Sequence, residues 1–260
     1  MTASDFIITP PEYLSPSSIS TFKQCPLKFK FGRIDGIKEP PTRATLLGNF
    51  VHDVLEEMYG LAAPERTKET ARRLAGEIFS GKDWSGQIMP HIAGDQGILK
   101  FKQDAWRCID NLWIIEEPTD TTPAGLEHRV EGEIAGVQLK GFIDRFSRSD
   151  DGTVIISDYK TGKAPSARFA DPKFFQLQVY AALIENSGEG RPTKLELLFL
   201  ETANKITKAV TSAVLEETAV QVRGVKDAID SACMIGEFEP STSKLCGWCF
   251  FKPQCPAFAN

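Results

Sequence analysis

The stretch that most restricts what this chain can fold into is Ile155-Ile156-Ser157-Asp158-Tyr159-Lys160-Thr161-Gly162. A run of β-branched apolar residues reads as a buried strand. This one ends in a carboxylate and an ammonium two positions apart. Side chains two apart on a strand share a face, so Asp158 and Lys160 project together and Tyr159 projects to the other side. Upstream, Gly141-Phe142-Ile143-Asp144-Arg145-Phe146 is also strand-like. Antiparallel pairing of the two around a turn at Asp150-Asp151-Gly152 would set Asp144 opposite Asp158, bringing two carboxylates and a lysine onto one patch.

The pattern around this pair alternates between helix and strand. Ser15 and Pro16 mark a helix start, and that helix should end at Cys25-Pro26. Leu47, Val51, Val54, Leu55 and Met58 recur at helical spacing, which predicts a helix over 45–60. Further helices are expected over 67–80, 96–116, 172–186 and 216–235. Strands are expected over 126–134, 137–147, 153–159, 194–202 and 206–214, with Ala135-Gly136 as a turn. This order predicts an α/β (α+β) fold, a mixed sheet packed by helices. With 42% hydrophobic and 25% charged residues, the chain can bury a core of that kind. No apolar run reaches the roughly 18 residues that span a bilayer, and nothing in the opening residues resembles an export signal, so no membrane contact and a cytoplasmic location are expected.

The net charge of −5 argues against a surface that grips nucleic acid everywhere, but not against a local groove. Lys23, Lys28, Lys30, Arg33 and Lys38 form one basic cluster. Lys160, Lys163, Arg168 and Lys173 form another. Each also reads as an ordinary solvated face.

Two adjacent carboxylates repel unless a cation sits between them. Carboxylate oxygens suit Mg²⁺ or Mn²⁺, and such an ion acidifies water and polarises a phosphoryl oxygen. A lysine alongside would stabilise charge that develops in the reaction. The assembly suits phosphodiester hydrolysis; taken alone, an acid–lysine pair at a strand end reads more simply as structural. His52 falls on the 45–60 helix, one turn after Gly48, where a glycine would let another backbone approach. Gln176 and Tyr180 share a helical face and could hydrogen-bond a phosphate.

In this order, Gly48-Asn49-Phe50-Val51-His52, Gly141 to Phe146, Ile155 to Gly162 and Gln176-Leu177-Gln178-Val179-Tyr180 resemble the RecB-type branch of the PD-(D/E)xK nucleases, from about residue 14 onward. The resemblance implies a restriction-endonuclease-like core and a metal-dependent DNA nuclease. By motif, His52, Asp144 and Asp158 would be metal ligands, with the Tyr159 carbonyl assisting. Lys160 would be the catalytic lysine, Gln176 and Tyr180 its supporting motif, and Glu127 an additional acid favoured over Glu131 and Glu133 by its spacing. One domain over 1–260 is expected, with a helical insertion at about 61–120, a nuclease core at about 121–215, and a final helix with a cysteine tail at about 216–260. The expected activity is exonuclease action on single-stranded DNA ends, in DNA repair and recombination or in CRISPR adaptation with other proteins of those systems. Lys23, Lys28, Lys30 and Lys163 would contact the DNA. The alternatives are a non-catalytic DNA-binding subunit of a larger complex, and a zinc-stabilised hydrolase of another phosphoester.

Cys246, Cys249 and Cys255 are spaced C-x2-C-x5-C, and Cys25 is the obvious fourth thiol. Four thiolates suit zinc or an iron–sulfur cluster. Cys25 and Cys255 both precede proline. The RecB-type resemblance, to the subgroup like the AddB nuclease domain and the CRISPR-adaptation nucleases, implies a 4Fe–4S cluster on these four residues. It would tie the N-terminal segment to the tail, with Trp248, Phe250 and Phe251 shielding it.

Overall fold

The computed structural model describes residues 7–81, 84–88, 90–149, 151, 153–166 and 170–258. Asp150 and Gly152 of the expected turn, and Arg168 of the second basic cluster, lie outside the described residues. In chain order the elements are α1 (Pro16–Gln24), α2 (Pro26–Phe29), α3 (Arg43–Tyr59), α4 (Lys68–Gly81), α5 (Trp84–Ile88), α6 (Gly94–Asp110), α7 (Leu112–Ile115), β1 (Pro123–Ile134), β2 (Val137–Arg148), β3 (Val154–Lys160), α8 (Phe175–Ser187), β4 (Pro192–Phe199), β5 (Asn204–Ala209) and α9 (Ser212–Ile235).

The strands form one mixed sheet in the order β1-β2-β3-β4-β5, so the expected mixed α/β architecture is the one observed. β3 pairs antiparallel with β2 and parallel with β4, and β5 pairs antiparallel with β4. A parallel neighbour requires a crossover, and α8 supplies it between β3 and β4. The β1–β2 turn places Ala135 and Gly136 at φ of 50° and 75°, the positive values a two-residue hairpin turn demands.

The chain divides into two compact units, one of Pro41–Val130 with Phe142–Thr211 and the other of Met1–Pro40, Glu131–Gly141 and Ser212–Asn260. In the first, Thr42 Oγ1 caps α3 by accepting from the Thr45 N–H at 3.2 Å. The predicted apolar stripe of α3 is buried together with Phe50 and Tyr59, against α4 and α6. Tyr159, Leu198 and Leu200 join this core. The long helix expected over 96–116 is interrupted at Asn111. The Asn111 amide donates to the Leu200 and Glu201 carbonyls at 2.7 and 3.3 Å, tying the break to the turn after β4. α8 packs on β3 and β4 and ends at Gly188, whose φ of 77° closes the helix in the left-handed conformation.

The β3–β4 register pairs Ser157 with Glu196, Asp158 with Leu197, and Tyr159 with Leu198. Ser157 and Tyr159 therefore share one face of the sheet, and Asp158 and Lys160 the other.

In the second unit, Ser15 and Ser18 form a reciprocal cap on α1. The Ser18 N–H donates to Ser15 Oγ at 3.1 Å, and the Ser15 N–H to Ser18 Oγ at 2.8 Å. Leu14 adds a short parallel bridge to Leu139. The chain becomes helical again straight after Pro26, an outcome the sequence reading did not include, because Leu27 and Phe29 occur at strand-like spacing. Both are buried, and Phe29 packs edge-on against Phe22 at 5.3 Å. α1 packs on α9.

Candidate metal centre

Four elements of the first unit converge at the C-terminal end of β3. The paired residues Arg145 with Ser157 and Phe146 with Ile156 continue by one step to Asp144 opposite Asp158. There the ladder gives way to a side chain, and the Tyr159 N–H donates to Asp144 Oδ2 at 2.8 Å. α3 brings in His52. Its Nε2 lies 2.9 Å from the Tyr159 carbonyl. A carbonyl only accepts, so Nε2 carries the hydrogen and Nδ1 is the atom turned to the acids. Nδ1 is 3.5 Å from Asp144 Oδ2 and 3.9 Å from Glu127 Oε1.

Glu127 stands on β1 with a φ of 40°, a left-handed conformation that side chains other than glycine adopt at a cost of about 1–3 kcal/mol. One ligand atom each from His52, Glu127 and Asp144 lie within 4.8 Å of one another. Asp158 is outside that triplet. It is buried, and its Oδ2 has the Lys160 ammonium 2.5 Å away, at an angle short of a regular hydrogen bond. On α8, Gln176 Nε2 donates to the Tyr180 hydroxyl at 3.2 Å.

The electrostatics of this cluster call for a cation. Burial works against a charged His52, but Glu127, Asp144, Asp158 and the Tyr159 carbonyl outweigh it and raise its pKa from 6.5 to about 9. Burial, followed by the Asp158 carboxylate, pushes Asp144 from 3.8 up to about 7, against the opposing pull of His52, the Tyr159 N–H and Lys160. Burial also lifts Tyr180 to about 12, and both carboxylates act in the same direction. Three carboxylates and one ammonium leave two formal negative charges around a neutral imidazole. Protons fill that demand here, and a divalent ion with oxygen and imidazole ligands fits the same donors.

Gly48 plays a smaller part than its place in the motif implied. A Cβ added there would meet only Thr161 Oγ1, at an ordinary 3.5 Å. The sequence reading also missed a buried group on the other face of the sheet, where Arg145 pairs with Glu116 and reaches Tyr159 and Ser157. The signal available was the alternation of β2, which turns Arg145 away from Asp144.

Of the expected DNA-contacting lysines, Lys163 is exposed. In the second unit, Lys28 and Lys30 hold Glu39 and Asp35 at 3.1 and 2.8 Å, and Lys23 donates to Gln221. Exposed pairs of this kind are weak. In the same unit, Cys25, Cys246, Cys249 and Cys255 all line one cavity of about 230 Å³. Phe251 is buried beside Phe31, but Trp248 is 84% exposed and Phe250 43% exposed, so those two shield little. Among the described residues, no helix is long and apolar enough to cross a membrane.

Comparison with known proteins agrees with this arrangement. The sequence model described as the PD-(D/E)XK nuclease superfamily matches residues 13–256. The Gene 69 protein of Mycobacterium phage D29 is 27% identical over 94% of this chain and 96% of its own length. The Gene 69 protein of Mycobacterium phage L5 is 25% identical over the same shares. A crystal structure from Eubacterium rectale, described as a "Putative exonuclease", superposes with a TM-score of 0.57 at 19% identity, covering 92% of this chain and 87% of that one; the likeness is one of fold. With a match across nearly its whole length, the chain belongs to the PD-(D/E)XK nuclease superfamily.

Proposed function

We propose that this protein is a divalent-metal-dependent deoxyribonuclease acting as an exonuclease on single-stranded DNA ends. The observation that carries the proposal is the triplet of His52, Glu127 and Asp144 within 4.8 Å, set beside the Asp158–Lys160 pair. His52 through Nδ1, Glu127 and Asp144 would hold the ion, with Asp158 completing the set; the Tyr159 carbonyl, accepting from His52 Nε2, would assist by orienting the imidazole. A bound Mg²⁺ or Mn²⁺ would polarise a phosphoryl oxygen and lower the pKa of a water. Lys160, whose ammonium is held by Asp158, orients the attacking water and offsets charge on the phosphoryl oxygens. Asp158 keeps that ammonium in place. Gln176 and Tyr180 supply neutral donors to the phosphate, since burial keeps the Tyr180 phenol protonated well above neutral pH.

The second part of the proposal is a 4Fe–4S cluster on Cys25, Cys246, Cys249 and Cys255. All four are free, half-buried thiols lining one cavity. The choice of the cluster over zinc, which four thiolates also suit, rests on the sequence resemblance. The Ser241 and Ser243 N–H groups donate to Cys25 and Cys246 Sγ at 3.5 and 3.3 Å, the kind of contact that tunes cluster thiolates. The cluster's role would be structural, with the protein working in the cytoplasm in DNA repair and recombination or in CRISPR adaptation.

The test is digestion of end-labelled single- and double-stranded DNA with Mn²⁺ by protein purified without air. Wild type should shorten single strands from an end. Asp158→Ala and Lys160→Ala should lose that activity while keeping the wild-type circular dichroism spectrum. Full activity in both would refute the site. An inactive wild type that still binds DNA would favour the non-catalytic subunit.

A further inference from the structure

Directly behind the metal centre, on the opposite face of β2 and β3, lies a buried guanidinium that the mechanism above does not use. Arg145 is 2% exposed and follows Asp144 in sequence. Its Nη1 donates to Glu116 Oε1 at 2.5 Å and to the Tyr159 hydroxyl at 3.1 Å. Its Nη2 donates to Glu116 Oε2 at 3.0 Å and to Ser157 Oγ at 3.3 Å. Its plane lies over the Tyr59 ring at 4.6 Å, and the Tyr59 hydroxyl donates to the same Glu116 at 2.6 Å. The Tyr59 and Tyr159 rings are near-parallel, 6.4 Å apart.

Together these contacts reach the elements that carry the centre. Asp144 is the residue before Arg145 on β2. Ser157 and Tyr159 flank Asp158 on β3, and the Tyr159 carbonyl holds His52. Tyr59 is seven positions after His52 on α3, two turns along the same face. A single guanidinium thus touches every element that carries His52, Asp144 and Asp158. Stability alone is a poor reason for such a group, because a buried ion pair is often no better than an apolar replacement. Fixing the spacing of three elements with a rigid planar fork is something only arginine does well.

We propose that Arg145 is a positioning residue, one that sets the separation of the metal ligands from behind the sheet through Glu116, Tyr159, Ser157 and Tyr59. The proposal rests on the metal-centre reading.

Mn²⁺ affinity, measured by calorimetric titration of the full-length protein, tests it alongside the Mn²⁺ dependence of DNA digestion. Arg145→Met should weaken Mn²⁺ binding about tenfold or more, and Arg145→Lys should not restore it, since an ammonium cannot span the same partners. Activity should recover at saturating Mn²⁺, so that the metal KM rises more than kcat falls. Tyr159→Phe and Ser157→Ala each remove one contact and leave the backbone carbonyl that orients His52 in place; each should weaken binding several-fold, which keeps the test open if Arg145→Met does not fold. Folded variants that bind Mn²⁺ as tightly as wild type and differ only in melting temperature would overturn the proposal. A wild-type protein that binds no Mn²⁺ would instead overturn the metal-centre reading.

Discussion

His52 and Asp144 hold their protons more tightly in the folded chain than in the unfolded one. Their pKa values rise from 6.5 to about 9 and from 3.8 to about 7. A group with a raised pKa stabilises the fold below its unfolded pKa and loses that contribution as pH climbs through its folded value. The metal-free protein should therefore lose thermal stability as pH rises from about 5 to about 9. Added Mn²⁺ should restore it, most strongly at the alkaline end, because the ion displaces the same protons. Melting curves with Mn²⁺ and with EDTA across that range check this. A metal-induced shift that shrinks with rising pH would contradict it. Glu127 offers a second check at this scale. Glu127→Gly relieves the left-handed strain at φ 40° and removes a ligand, so melting temperature in EDTA should hold or rise while Mn²⁺ affinity falls about tenfold or more. Lower stability in EDTA with unchanged affinity would show that Glu127 is structural.

The elements carrying the ligands were legible in the sequence to different degrees. β3 and the end of β2 could be read because an apolar run ended abruptly in charges, and because antiparallel pairing makes opposed positions sum to a constant, which set Asp144 against Asp158. α3 could be read from its apolar spacing. Arg145 and Glu116 could not. In a chain with 30 basic and 35 acidic residues, nothing local separates a buried guanidinium from a solvated one, and its partners lie 12 to 29 positions away. The break at Asn111 was hidden for the same reason, since its partner carbonyls lie in the turn after β4. Gly48 is the case where the motif suggested more than the packing requires. Alanine there makes only ordinary contact with Thr161 and is the better helix former by about 1 kcal/mol. Gly48→Ala should raise the melting temperature by a few degrees and keep nuclease activity. A clear loss of stability would mean that α3 is more crowded at Gly48 than this packing shows.

For the molecule as a whole, the proposed cluster would link segments far apart in the chain. Joining Cys25 to Cys246, Cys249 and Cys255 closes a loop of more than two hundred residues, and by loop-closure reasoning restricts the unfolded chain by about 5 kcal/mol at most. That is a large share of an ordinary stability margin of about 5–15 kcal/mol. Cys249→Ser should therefore lower the melting temperature and remove the brown colour of anaerobically purified protein. A colourless wild type carrying zinc, equally stabilised, would replace the cluster with a zinc site and leave the nuclease centre untouched.

The proposed nuclease centre would hold one ion between α3, β1 and β2. Anomalous scattering from crystals soaked in Mn²⁺ locates such an ion directly. A single strong peak is expected about 2.0–2.3 Å from His52 Nδ1 and from carboxylate oxygens of Asp144 and Glu127, on the Asp158 face of the sheet. A peak elsewhere with none at His52, or no peak at saturating Mn²⁺, would contradict it.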